Sequence, residues 1–172
     1  MEIIRPTLVL DKQKCINNIE KMVLKAANHN LIFRPHLKTH QSKEIGEWLR
    51  NSGVDKITVS SVQMAKYFVE AGWKDITIAF PFNQLEIDEI NDLAARIKLN
   101  ILIIHADSVK FLKKHLKYEV GIFIKIDCGY HRTGIAAEDY DEIYSVTSMV
   151  NSVKKLKLKG FLTHSGHAYP EI

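Results

Sequence analysis

The chain reads as an α/β protein of the (β/α)8 TIM-barrel type, incomplete, with about six βα units. Three observations predict this. Short apolar runs rich in β-branched residues alternate with amphipathic helical stretches along all 172 residues. The runs are apolar enough for burial on both faces, as in a covered parallel sheet. Polar residues gather just past several different runs, with Lys38 after the first, Ser60 and Ser61 after the second, Arg132 after the fifth and His164 after the sixth. One site fed by many strand ends is a barrel pattern. Regular alternation alone also allows a doubly wound open sheet. No Gly-x-Gly-x-x-Gly follows the first run, which disfavours a dinucleotide fold. The stretch Gly129–Gly134 lacks the Gly-Lys-Ser/Thr ending of a nucleotide phosphate loop.

Each element has its own signal. Residues 11–28 predict a helix capped by Asp11, with Ile16, Ile19, Val23 and Ala26 on one stripe. Leu31–Arg34 predicts a strand. Ser42–Asn51 predicts a helix with Ile45, Trp48 and Leu49 inward and Gly53 beyond its end. Lys56–Ser60 predicts a strand, and Val62–Ala71 a helix with Met64, Ala65, Phe68 and Val69 inward and Gly72 as its stop. Asp75–Phe80 predicts a strand ended by Pro81, followed by a helix over Leu85–Ile97 that buries Ile90, Leu93 and Ile97. Asn100–His105 predicts a strand, and Asp107 caps a helix carrying Val109, Leu112 and Leu116. Val120–Asp127 predicts a strand, Glu138–Lys155 a helix with Ile143, Val146, Val150 and Val153 inward, and Lys159–His164 the last strand.

A full barrel takes about 250 residues. Six units in 172 residues are too few, and the chain stops at Tyr169-Pro170-Glu171-Ile172, just past a predicted strand. The expectation is a piece of a longer protein, with residues 1–172 the N-terminal part of a barrel domain and strands seven and eight absent.

Composition narrows the function. The chain is 46% hydrophobic and 26% charged, with a net charge of only +4. Its basic clusters, Lys113–Lys117 and Lys154–Lys159, are spaced like the solvated side of a surface element. Nucleic-acid binding wants a broader basic face interleaved with aromatics, and is not expected. Cys15 falls in a helical pattern and Cys128 at a strand end, so a disulfide is not implied. No apolar stretch is long enough to span a membrane and no signal-peptide pattern opens the chain, so the expected location is the cytoplasm.

The densest chemistry lies in Arg34-Pro35-His36-Leu37-Lys38-Thr39-His40, directly after Leu31-Ile32-Phe33. A lysine held at a strand end, partly shielded and beside other cations, is a nucleophile that can form an imine with an aldehyde. The plain alternative is one more surface lysine. The cluster of Arg, His and Thr around Lys38 favours the first.

That stretch resembles the signature around the cofactor lysine of D-threonine aldolases and eukaryotic-type D-serine dehydratases, within the alanine-racemase-like, fold type III class of pyridoxal phosphate enzymes. Arg5–Asp11 resembles the opening of that family, Ile126–Ile135 its fifth-strand motif and Phe161–Tyr169 its sixth-strand motif. The four motifs cover the chain in the right order. The lysine motif is the most specific of them.

The resemblance implies that Lys38 holds pyridoxal phosphate and acts as a general base at the substrate α-carbon. It implies that His164 lies against the cofactor ring and that Arg132 orients the site. Alone, His164 reads equally as a buried structural histidine, and Arg132 as the ion-pair partner of Asp127. Lys125 matches a lysine modified in some alanine racemases and is read here as structural. His36, His40, His167 and Tyr169 are further candidates for substrate or cofactor contact. His36 and His40 flank Lys38 on a short loop and no tetrahedral set completes around them, so no metal is assigned to these residues. The family's C-terminal β domain, absent here, supplies the ligands of a divalent metal in this branch. Barrel phosphate grips also come from the loops after strands seven and eight. The 172 residues alone are therefore expected to be inactive, and the intact protein to be a homodimeric lyase acting on a small D-3-hydroxy amino acid. An amino-acid racemase and a non-catalytic pyridoxal phosphate carrier are the alternatives.

Overall fold

A computed structural model describes residues 4–7 and 9–168. Six α-helices are interspersed with strands: α1 (Lys12–Asn28), α2 (Lys43–Asn51), α3 (Val62–Glu70), α4 (Ile87–Ala94), α5 (Ala106–His115) and α6 (Tyr140–Asn151). The strands are β1 (Ile57–Val59), β2 (Asp75–Pro81), β3 (Lys98–Ile103), β4 (Val120–Asp127), β5 (Ile135–Ala136) and β6 (Leu156–Leu162). β1 to β4 pair in sequence order, β6 pairs β4, and β5 pairs the last two residues of β4. Among the described residues every pairing is parallel and the sheet does not close on itself.

Side-chain hydroxyls and carboxylates start the helices. Asp11 accepts from Lys14 N, Ser42 from Ile45 N, Ser61 from Met64 N and Asp139 from Glu142 N. Each satisfies an N–H that has no partner within the helix. One face of the sheet then packs on the helices. Ile57, Ile76, Leu99, Ile101, Ile122 and Ile124 join Phe68, Leu93, Leu112, Val146 and Val150 in a single core, each at most 2% exposed. Burying such a side chain is worth about 1.5–3 kcal/mol. The opposite face is buried too, but partly polar. Thr58 and Thr77 share one register layer with Asn100 and Gly121, and Lys125 follows farther along β4. Arg34, Asp75, Asn100, Phe123 and Lys159 line a cavity of about 880 Å³ at one end of this face.

Several expectations need correction. Leu31–Arg34 is not a strand: Leu31 and Ile32 are exposed, and the bridge nearest to it among the described residues is the isolated pair His36–Thr58, beyond its end. The ladder is interrupted at Pro35, which has no N–H to donate. The sixth strand is instead β5, a two-residue return beside β4. The first turn before α4 is a 3-10 turn, Gln84–Glu86, capped by Asn83. Asp107 does not cap α5. His105 occupies the N-cap position, and Asp107 lies in the first turn, 2.8 Å from Lys110. α6 ends at Asn151 and β6 starts at Leu156, because Leu156, Leu158 and Gly160 alternate with exposed Lys157, Lys159 and Phe161 at the strand period. The inward stripes of α1, α3, α4 and α6 are as the periodicity predicts.

Candidate active site

The segment after residue 34 is pinned by one buried side chain. Leu37 is fully buried, its N–H donates to Thr58 O at 2.9 Å, and Thr58 N–H donates to Pro35 O at 2.8 Å. With Leu37 turned inward, Lys38 turns outward. Lys38 is exposed, which corrects the expectation of partial shielding. Its backbone is held locally. Lys38 N–H donates to His36 Nδ1 at 3.3 Å, and Ser42 N–H donates to His40 Nδ1 at 3.1 Å. Both bonds need an unprotonated Nδ1. Burial lowers the His36 pKa below 6.5, helped by the Lys38 charge, and burial lowers that of His40.

The end of β4 carries the second group. Lys125 is 6% exposed, and Nζ donates to Ile126 O at 3.1 Å. Burial lowers the pKa of its ammonium; the Arg132 charge adds to that, while Cys128 and Asp127 oppose it. Asp127 folds the loop that follows. Its Oδ1 accepts from Gly129 N and His131 N, both at 3.0 Å, and its Oδ2 lies 3.6 Å from His131 Nδ1. The hydrogen bond from the His131 N–H, then that from Gly129, hold the Asp127 carboxyl below the usual carboxylate range. His131 adopts a left-handed φ of 55° in this turn. Arg132 therefore does not ion-pair with Asp127; its guanidinium lies 5.6 Å from the centre of the Tyr130 ring.

The segment after β6 closes against that loop. Cys128 Sγ and Ser165 Oγ are 3.1 Å apart. The Tyr130 ring meets the His164 imidazole edge-on at 5.3 Å and stacks on His167 at 6.2 Å. Burial lowers the His164 pKa below 6.5, and the charges of Arg132, Lys38 and Lys125 lower it further. Three cationic side chains thus add to burial in disfavouring the protonated imidazole. The nearby carboxylate, Asp127, is committed to the turn. Tyr130 brings together Arg132, His164 and His167, the Lys38 charge acts on His164, and His36 adjoins Lys38. His40 serves the loop before α2, and Tyr169 lies outside the described residues. Sequence reasoning missed Tyr130 and undervalued Lys125. A lysine inside the apolar run Val120–Ile126 is itself a sign of a buried amine.

An excess of positive charge with a free amine suits an anionic aldehyde. Lys38 can bond such a carbonyl, Arg132 and Lys125 can offset negative charge, and His164 can lie against a flat ring. Among the described residues, no three His, Cys, Asp or Glu side chains are placed to hold a metal ion, and no helix is long and apolar enough to cross a membrane. Cys15 and Cys128 are both free thiols.

A family model described as "Alanine racemase, N-terminal domain" matches residues 10–171. The chain is 32% identical over 171 residues to a D-serine dehydratase of Dictyostelium discoideum, covering 89% of this chain and 42% of that protein. It is 27% identical over 175 residues to a 3-hydroxy-D-aspartate aldolase of Paracoccus denitrificans, covering 96% of this chain and 44% of that protein. The solved structure of D-threo-3-hydroxyaspartate dehydratase from Delftia sp. HT23 superposes with a TM-score of 0.82 at 26% identity, covering 91% of this chain and 42% of that one. The chain thus spans less than half the length of these relatives.

Proposed function

The chain belongs to the alanine racemase N-terminal-domain family, and from that premise we propose that it forms the lysine-bearing part of a pyridoxal-phosphate-dependent lyase acting on a D-3-hydroxy amino acid. The observation that carries the proposal is the Arg34–His40 segment pinned beside β1 through Leu37 and Thr58, on the same sheet whose β4 and β6 ends set Arg132 and His164 against Tyr130. Relatives named D-serine dehydratase, D-threo-3-hydroxyaspartate dehydratase and 3-hydroxy-D-aspartate aldolase support the substrate class.

When bound, pyridoxal phosphate supplies an electron sink for the substrate α-carbon. The chain's own residues do the rest. Lys38 Nζ, exposed on a backbone fixed by Leu37 and His36, would hold the aldehyde carbon with loss of water and, as the released amine, would be the base for the α-proton. Burial first, and then the charges of Arg132, Lys38 and Lys125, disfavour protonation of His164, which suits it to pack on a ring without adding charge. Arg132 donates hydrogen bonds to anionic groups, and Lys125 adds positive potential from a buried position where screening is weak.

The proposal includes a barrel completed by residues beyond 172, a phosphate grip and divalent-metal ligands in that part, and a cytoplasmic homodimer. Residues 1–172 alone are then inactive. The test uses the longer protein that carries this chain. Added pyridoxal phosphate should give an absorbance band at roughly 410–430 nm, with turnover of D-serine, D-threonine or D-3-hydroxyaspartate. A protein that stays colourless and turns over none of them refutes the reading.

A further inference from the structure

The loop after β4 and the segment after β6 meet around a single side chain. Tyr130 touches His164 edge-on, stacks on His167 and carries the Arg132 guanidinium over its ring. The partner segment has a notch for it. A Cβ on Gly166 would fall 2.9 Å from Tyr130 Cζ and 3.1 Å from His164 Nε2, too close without a shift of one ring. Beside the notch, Cys128 and Ser165 approach to 3.1 Å, and the Asp127 turn fixes the backbone on both sides of Tyr130.

We propose that Tyr130 is a positioning residue: its ring, seated in the Gly166 notch, locks His164 and Arg132 into one wall of the cofactor site. The inference rests on the pyridoxal phosphate reading. Two independent geometric facts point the same way. Neither His164 nor Arg132 has a side-chain hydrogen bond or ion pair among the described residues, so aromatic contact is what orients both. Tyr130 is 42% exposed, so it is a minor part of the core and its value lies in what it holds. Aromatic pairs and cation–π contacts of this kind are strongly directional. The charges that act on His164 are those of Arg132, Lys38 and Lys125, its ring neighbour is Tyr130, and His167 stacks on the same Tyr130.

The test compares Tyr130→Phe, Tyr130→Ala and Gly166→Ala in the longer protein. The first readout needs no cofactor: the ring resonances of His164 and its titration midpoint by NMR. Tyr130→Ala and Gly166→Ala should move the His164 resonances and bring its midpoint closer to 6.5, while Tyr130→Phe leaves both in place. The second readout is pyridoxal phosphate affinity. It should weaken about tenfold or more in the two Ala variants and stay within about twofold in the Phe variant, where tenfold is the loss of roughly one aromatic contact. All three variants should keep the wild-type amide spectrum. An unmoved His164 in both Ala variants overturns the proposal. So does a moved His164 with unchanged cofactor affinity, or a Phe variant as damaged as Ala. If the wild type takes up no pyridoxal phosphate, the functional reading fails, and the His164 resonances still decide whether the clamp exists.

Discussion

Arg34 and Asp75 form an ion pair at 2.8 Å, and Asn100 leans on the same carboxylate with its amide, at 3.4 Å from Oδ1. The Asn100 amide also donates to Thr77 Oγ1 at 3.2 Å. These groups line the inward face of the sheet where a (β/α) barrel has its interior. A buried amide is tolerated there because its donors are met. Room for it comes from Gly121 on the next strand, whose missing Cβ would land on Asn100 Oδ1.

Gly121→Ala should therefore force Asn100 out of its hydrogen bonds. The expected cost is roughly 1–3 kcal/mol, the penalty of a buried polar group left unpaired or a core overpacked by one methyl. Urea denaturation of the variant measures it. A stability equal to wild type would mean that Asn100 turns freely.

Lys125→Met should separate stability from binding. The wild-type amine is buried with a backbone oxygen as its hydrogen-bond acceptor, so an apolar chain of similar length removes a desolvation cost. The variant should be as stable as wild type or more so, by about 1 kcal/mol, the low end of what replacing buried charge by apolar groups brings. Pyridoxal phosphate affinity should fall, because one cation leaves the cluster. Thermal melts and cofactor titration read the two effects separately. A large loss of stability would show that Lys125 is a structural strut, as its sequence context first suggests.

Acid should loosen the Lys38 segment before it unfolds the chain. His36 and His40 accept backbone N–H bonds through Nδ1, and both have pKa values below 6.5 in the fold. The unfolded chain takes up protons at about 6.5, before the folded chain does, so stability from these bonds is intact above that pH. It declines as pH drops below 6.5 towards the lowered folded values. Hydrogen exchange at the Lys38 and Ser42 amides should rise in that window, relative to amides of β3. His36→Gln and His40→Gln should flatten the dependence.

Much of the site was legible in the sequence because strand-end motifs carry their own polar signature. Lys38, Arg132 and His164 stand out as polar residues just past apolar runs, and the fold sets Arg132 and His164 against the same Tyr130 ring. The strand predicted at Leu31–Arg34 failed for a physical reason. Its apolar residues are there, but a strand also needs a ladder, and at Pro35 one donor is missing. The β6 boundary was misplaced because Lys154, Lys155, Lys157 and Lys159 look like a helix surface until neighbours reveal the period of two. Tyr130 was passed over because an exposed tyrosine in a loop has no local signal. Its role comes from His164, His167 and Gly166, more than thirty residues away, which no short window displays.

The central claim is that the Lys38 amine is where pyridoxal phosphate attaches. Borohydride reduction of the cofactor-loaded longer protein, followed by peptide mass mapping, tests it most directly. A pyridoxyl group on the peptide containing Lys38, lost in Lys38→Ala, is the predicted result. A group fixed on Lys125 or any other lysine, or persisting in Lys38→Ala, would contradict it.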